Sequence, residues 1–350
     1  MSYQQKSIHG VRPCENWAHG QRILGDSPHE KSVDQVLHFE RVGAEEFVRD
    51  FCRNRRVALV TDGAAYTLSG SAAFFDPLVP EALRIVVKAP NPKVEGVQAL
   101  LDEIRGESIG AFIAVGGGTA IETTKLLNFA MSTGLSVREL LQQKSCPTLL
   151  PFLGVPTTAG TGAEATRFAV CYDGDTKYSI DFPEIRPSHV LLLAELSASL
   201  PAYQKLSTNF DAYAQAVESL WAKGATEESK AYAQKALDYM AAEDWPQGAY
   251  WAGRAIDLSR TTAAHAFSYY LTSHYGIPHG HAVYMVFEYI CRNNGRPDRV
   301  KIVPGLKTLR EFVAEKGIAW SRMVDALFDH VNLKRLGNNP VEVRKEYFNG

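Results

Sequence analysis

One stretch limits the possible folds of this chain more than any other. Ala111-Phe112-Ile113-Ala114-Val115 is an unbroken apolar run, Gly116-Gly117-Gly118-Thr119 follows without a spacer, and Ala120–Ala130 then reads as a helix. An apolar run of that length, bounded by turn residues, predicts a strand buried on both faces, as in a parallel sheet covered by helices. The flanking chain repeats the alternation. Val57-Ala58-Leu59-Val60-Thr61 is a second such run and ends in Asp62-Gly63, Arg84–Val87 is a third strand, and Val94–Ile104 carries an apolar stripe at helical spacing. Strands alternating with helices predict a mostly parallel sheet with helical crossovers. The turn also points to chemistry. A glycine-rich turn between a strand and a helix N-terminus offers free N–H groups and a dipole that favours anions, so Gly116–Thr119 is a candidate phosphate cradle. It matches neither G-x-G-x-x-G nor a Walker A loop, and a plain turn would not need the backbone entropy cost of three glycines.

A second small-residue loop, Pro156-Thr157-Thr158-Ala159-Gly160-Thr161-Gly162-Ala163-Glu164, follows the apolar run Leu149–Val155 and interleaves hydroxyls with glycine amides. Phe168–Cys171 and Lys177–Ile180 predict a hairpin around Asp173-Gly174-Asp175, and Val190–Leu193 a last strand. Beyond Pro201 the pattern is helix after helix. The expected organisation is an extension over residues 1–35, an α/β domain over 36–197 and a helical domain over 198–350, since a chain of 350 residues exceeds what one core usually serves.

In the helical part, Asp211, Gln215 and Glu218 share one face of a predicted helix, opposite the stripe Phe210, Ala214, Val217 and Trp221. An acid early in a helix is ordinarily a cap or dipole partner. Ser259–His281 reads as a helix that runs out at Gly276 and Pro278. It places His265 among Ala, Phe and Leu, where an unpaired imidazole is costly, and His279 in a bend where backbone can approach a ligand. One carboxylate and two imidazoles from separate segments form a candidate first shell for a divalent transition metal.

Composition narrows the classes of partner. A net charge of −2 gives no reason to expect nucleic acid or an anionic membrane. No apolar run reaches bilayer length, and the polar N-terminus has no signal-peptide core. The five cysteines lack C-x-x-C spacing, so a disulfide framework is not expected and a reducing cytoplasm is the expected location.

Several motifs in order carry a family resemblance. Gly116-Gly117-Gly118-Thr119-x-x-Glu122-x-x-Lys125, the Pro156–Glu164 loop, and His265 through Pro278-His279-Gly280 resemble those of iron-containing (group III) alcohol dehydrogenases. Lys177-Tyr178-Ser179, Glu218–Trp221, Ser259-Arg260-Thr261 and Leu336–Pro340 look most similar to phosphonoacetaldehyde reductases within that family. The resemblance implies a dehydroquinate synthase-like architecture, in which an α/β dinucleotide-binding domain meets an all-α domain at the active-site cleft. It further implies Gly116–Thr119 on the pyrophosphate, Thr157, Thr158 and Thr161 along the nucleotide with Lys177 nearby, and Asp62 on the adenosine ribose, favouring NAD over NADP. The implied activity is NAD(P)H-dependent reduction of a small aldehyde by a homodimer, with Fe²⁺ or Zn²⁺ held by Asp211, position 215, His265 and His279.

Two departures accompany the resemblance. Gln215 stands where the family has His, and an amide oxygen is a weaker ligand than imidazole, so metal affinity is expected to fall. Tyr269 stands where relatives often carry a proton-relaying His, with Tyr269 or His281 as candidate substitutes. For an anionic substrate end, Arg260 is the candidate cation, about one and a half helical turns before His265; the competing expectation pairs it with a local acid such as Asp257. Two alternatives stay open: a lyase resembling dehydroquinate synthase that uses NAD transiently, and a degenerate nucleotide-binding relative without turnover.

Overall fold

Every residue of Val57–Thr61, Ala111–Gly116 and Phe152–Pro156 is buried, as strands covered on both faces must be. The computed structural model describes residues 21–22, 35–174 and 176–348. Its strands are β1 (Gln21–Arg22), β2 (Val36–His38), β3 (Val57–Thr61), β4 (Leu83–Val86), β5 (Ala111–Gly116), β6 (Phe152–Pro156), β7 (Phe168–Asp173), β8 (Thr176–Asp181) and β9 (His189–Leu191). One sheet has the order β1-β2-β9-β6-β5-β3-β4, parallel except for β1, while β7 and β8 form a separate antiparallel hairpin.

The order places a crevice. From β3 the chain crosses to β4 on one side, and from β5 it crosses to β6 on the other. Ligands of open parallel sheets bind outside the carboxyl ends of strands at such a reversal. In register, Thr61 lies beside Val115, and Gly116 beside Pro156. The Asp62 turn, the triple-glycine turn and the threonine loop therefore leave the sheet at the same edge.

The other half is built from the helices Ala202–Trp221, Glu227–Ala241, Trp245–Ser259, Ala263–Tyr275 and His279–Asn293, with shorter helices behind them. Phe210, Phe267 and Phe287 anchor its core, and each such side chain contributes about 1.5–3 kcal/mol by leaving water. The two halves dock through the threonine loop. A Cβ on Gly162 would lie 2.6 Å from Gly253 Cα, so these backbones meet directly. Beside that contact, buried Asp257 accepts from Arg167 N at 2.6 Å and pairs with Arg186 Nη1 at 2.9 Å. Among the described residues no helix is long and apolar enough to cross a membrane.

Three expectations change. The helix expected from Ser259 runs out at Gly276 as expected but starts later, at Ala263. The preceding helix ends at Ser259 because Arg260 takes a left-handed φ of 63°, and a new helix begins at Ala263. His279 lies not in a bend but at the start of His279–Asn293. Asp211 is not in a first turn, since its helix begins nine residues earlier at Ala202. Of the expected extension, Gln21–Arg22 pair with Leu37 and Val36 as the sheet's edge, and Gln35 is buried against the Glu164 and Pro187 carbonyls. The rest of that segment lies outside the described residues.

Candidate metal centre and nucleotide cradle

Asp211 and Gln215 lie one helical turn apart and Glu218 nearly another, so all three line one face, and all are buried. His265 lies on a neighbouring helix between two of these acids. Its Nε2 is 3.1 Å from Asp211 Oδ1, and its Nδ1 is 2.5 Å from Glu218 Oε2. His279 brings its Nε2 to 3.8 Å from the same Asp211 oxygen. One ligand atom from each of Asp211, His265 and His279 lies within 4.8 Å of the others, the one such grouping of three acidic, His or Cys side chains among the described residues.

Gln215 donates from Nε2 to Asp211 Oδ2 at 3.2 Å and to the Thr161 carbonyl at 3.4 Å. Its Oε1 is buried without a partner. A carboxylate, two imidazoles and an orphaned amide oxygen fit a divalent cation, with the amide as the weakest donor. Behind them Glu218 accepts from Thr262 N, Thr262 Oγ1 and Ala264 N at 3.0, 2.7 and 2.8 Å while holding His265 Nδ1. That carboxylate–imidazole pair fixes the tautomer and aims Nε2 at the group.

The titration of the group follows from its charges. Burial alone would strip the proton from His265, but Glu218 and Asp211 outweigh it and hold the imidazole up at about 9. Burial, reinforced by His265, Lys177 and Arg335, pushes His279 down to about 4 despite Asp211, leaving it neutral as a ligand must be. Burial would raise Asp211 and Glu218, yet the histidines keep both below the ordinary carboxylate range.

Across the cleft the nucleotide candidates converge. Asp62 Oδ2 accepts from Gly117 N at 3.0 Å, while Oδ1 is buried and unpartnered, free for a ligand hydroxyl. Thr157 N donates to Gly116 O at 2.9 Å, tying the threonine loop to the glycine turn. A Cβ on Gly116 would meet Asp62 Cγ at 2.8 Å and one on Gly118 would meet Thr161 Oγ1 at 2.8 Å. Two of the three glycines therefore serve loop-to-loop packing rather than room for phosphate alone, and Thr158 flanks Gly117. Gly117 is the N-cap of a 16-residue helix and, being glycine, offers no side-chain cap of its own, and Thr119 Oγ1 accepts from Asn91 N at 3.4 Å. Lys125 is buried, donating to the Thr166 and Phe168 carbonyls, and so serves the fold.

The remaining candidates divide. Tyr269, one turn beyond His265, stacks on His279 with centroids 6.2 Å apart, and the Lys177 ammonium lies 3.7 Å from its ring centroid. Burial works against its phenolate, but Lys177, Arg335 and His265 hold Tyr269 below the usual phenol range. His281 is not brought to the group. Two residues past His279 on a helix it points elsewhere, with Nδ1 at 2.7 Å from Tyr203 Oη and Nε2 at 2.8 Å from Lys307 O. Arg260 is also engaged elsewhere. It pairs with Asp181 at 2.7 Å and donates to the Asp257 carbonyl, because the break at Arg260 removes the helical offset that was to aim it beside His265. Glu218 and Arg335 join the site without a sequence expectation for either. The 211/215/218 stripe was the available signal for Glu218, and nothing local marks Arg335.

A parallel sheet whose switch point faces an acid-and-imidazole cluster on a helical unit defines a narrow class of proteins. Comparison places the chain within it: residues 37–193 match Iron-containing alcohol dehydrogenase and 213–336 match Fe-containing alcohol dehydrogenase family, C-terminal, so the chain belongs to the iron-containing alcohol dehydrogenase family. It is 32% identical over 249 residues to phosphonoacetaldehyde reductase of Streptomyces viridochromogenes, covering 62% of this chain and 63% of that one. The chain spans less than two thirds of the length of that relative and of the NAD-dependent methanol dehydrogenase of Bacillus methanolicus, at 63% and 58%. In structure it is similar to sulfoacetaldehyde reductase from Bifidobacterium kashiwanohense in complex with NAD+, with 25% identity, TM-score 0.76, and 89% and 94% of the two chains covered. The iron-containing alcohol dehydrogenase of Thermotoga maritima shares the fold at TM-score 0.74 and 24% identity, over 89% and 95% of the two chains.

Proposed function

We propose that this protein reduces a small aldehyde to the primary alcohol with NAD(P)H in the cleft between an α/β domain, 36–197, and a helical domain, 198–350. The observation that carries the reading is the Asp211–His265–His279 group, backed by Glu218 and facing the cradle of Asp62, Gly116–Thr119 and the threonine loop. A divalent cation held by Asp211, His265 and His279, with Gln215 as fourth donor, would supply Lewis-acid polarisation of the aldehyde oxygen. The nicotinamide cofactor would supply the hydride. The chain's own residues position and protonate. Asp62 presents its free Oδ1 to a ribose hydroxyl, the threonine loop and glycine turn hold the nucleotide against the sheet edge, and Tyr269 beside Lys177 is the proton donor for the product oxygen. The name of the Streptomyces relative supports phosphonoacetaldehyde, reduced to 2-hydroxyethylphosphonate, as the specific substrate, and that of the Bifidobacterium neighbour supports a two-carbon aldehyde with an anionic end.

An oxidation assay with NADH and NADPH over a small aldehyde panel, with Fe²⁺ and Zn²⁺ added back, tests the reading. Aldehyde-dependent oxidation that rises with added metal is expected. Metal-loaded protein with no aldehyde-dependent oxidation of either cofactor would sink it. Asp62 adds a second expectation. A buried carboxylate repels a 2′-phosphate, so Asp62→Gly should raise KM for NADH about tenfold, the loss of roughly one hydrogen bond to a charged group, and narrow its advantage over NADPH. An unchanged NADH:NADPH ratio would remove Asp62 from this role.

A further inference from the structure

The cleft carries more positive charge than the ligand group requires. Lys177 is half-buried on β8 against Tyr269, and Arg335 is half-buried on the short helix Leu333–Leu336. That helix is pinned to the one bearing His265 and Tyr269 by Asn332 N donating to Ala266 O at 3.3 Å. Arg335 Nη1 donates to Thr261 Oγ1 at 2.5 Å, and neither Arg335 nor Lys177 has a carboxylate within ion-pair distance among the described residues. Lys177 lies over the Tyr269 ring that stacks on His279, and Arg335 is tied to Thr261, next to the Thr262 that holds Glu218, so both flank the ligand group. Asp211 and Glu218 between them balance one divalent cation. Glu122 feels the Lys177 charge, but burial still pushes it up to about 7, and it makes no ion pair with Lys177. Two cations thus remain without an ion-pair partner among the described residues in a half-buried site, an arrangement that favours a ligand bringing negative charge.

We propose that Arg335, with Lys177 beside it, grips the anionic end of the substrate, so that the protein selects aldehydes bearing a tetrahedral oxyanion such as phosphonate or sulfonate. This rests on the aldehyde-reductase reading above and names its specificity residue. A guanidinium fork with one hydroxyl partner keeps donors free for two oxygens of such a group, which a point charge cannot match. With the anion at Arg335 and the aldehyde toward His265 and His279, a two-carbon substrate lies across Tyr269.

Kinetics of Arg335→Ala and Arg335→Lys on phosphonoacetaldehyde and on propanal, an uncharged aldehyde, provide the test. Arg335→Ala should raise KM for phosphonoacetaldehyde about 10- to 100-fold, the loss of one or two charge-assisted hydrogen bonds, and lower the ratio of kcat/KM for phosphonoacetaldehyde to that for propanal by a similar factor. Arg335→Lys should fall between, keeping the charge and losing the fork. Equal losses on both aldehydes, or a rise in KM for NADH with the aldehyde ratio unchanged, would overturn the assignment. Methylphosphonate titrated into the metal-loaded protein and followed by ³¹P line broadening gives a readout independent of turnover. Broadening in the wild type that vanishes in Arg335→Ala supports the site, and broadening that persists overturns it. A wild type that binds methylphosphonate through Arg335 yet reduces no aldehyde would sink the reductase reading while leaving the anion site standing.

Discussion

Alanine at position 218 should destabilise the protein by about 3–5 kcal/mol and weaken divalent-metal binding by about 10- to 100-fold. Glu218 is fully buried and accepts from the backbone of Thr262 and Ala264, the Thr262 hydroxyl and His265 Nδ1. Its removal leaves three donors at the start of the helix Ala263–Tyr275 without an acceptor, at about 1–3 kcal/mol each before relaxation, and leaves His265 Nδ1 without its carboxylate. Glu218→Gln keeps the volume and part of the acceptor capacity, so its stability loss should be smaller. Its metal affinity should still fall, because a neutral amide does not raise the basicity of His265. The pH dependence has a definite sign in metal-free protein. His265 rises from 6.5 to about 9 on folding, so its pairing stabilises fully below pH 6.5 and fades as pH rises through 9. The gap in urea midpoint between wild type and Glu218→Ala should therefore be widest near pH 6 and shrink toward pH 9. A gap that widens with pH would show that Glu218 does not hold a protonated His265.

How much of this was legible in the sequence varies with the range of the interaction. The strands at Val57, Ala111 and Phe152 are readable because burial on both faces writes an unbroken apolar run, and the glycine turn because it interrupts that run abruptly. The stripe Asp211, Gln215, Glu218 is readable because helical spacing is local. What those side chains meet is not local. Nothing near Glu218 announces His265, 47 residues away, and nothing near Arg335 announces Thr261, 74 residues away. Arg260 shows a different limit. A left-handed φ on a residue other than glycine has no signature in composition, yet it shifts the start of the expected helix from Ser259 to Ala263 and turns the arginine toward Asp181. The lone imidazoles were ambiguous for a further reason. Spacing places His279 and His281 two residues apart in either a loop or a helix, and only the helix sends them to different partners.

Gly280→Ala should destabilise the protein by about 3 kcal/mol or more, at the upper end of overpacking costs, and take the metal site apart without touching a ligand. A Cβ at Gly280 would lie 1.9 Å from the Ser207 carbonyl oxygen, 2.8 Å from its carbon and 3.0 Å from Asp211 Cβ. The obstacles nearest to it are backbone, so no rotamer change relieves them, and Ser207→Gly would not help. The helix His279–Asn293 must instead move off the helix Ala202–Trp221. That movement breaks the bond from His281 N to Ser207 Oγ, now 3.0 Å, and lengthens the 3.8 Å approach of His279 to Asp211. The Pro278-His279-Gly280 sequence thus brings backbone close to a neighbouring helix, not to a ligand, and that closeness sets the separation of two ligands on different helices. Gly96→Ala is the matched control. Gly96 lies within the helix Val94–Ile104 with nothing within 4 Å of its added Cβ, so the same change there should be neutral or stabilising by up to about 1 kcal/mol through helix propensity. Urea unfolding with and without Zn²⁺ separates the two effects. Gly280→Ala should lower the metal-free midpoint and abolish the metal-dependent rise, whereas Gly96→Ala should keep the rise intact. A Gly280→Ala protein with the wild-type midpoint and wild-type metal stabilisation would mean that this helix contact does not hold His279 in place.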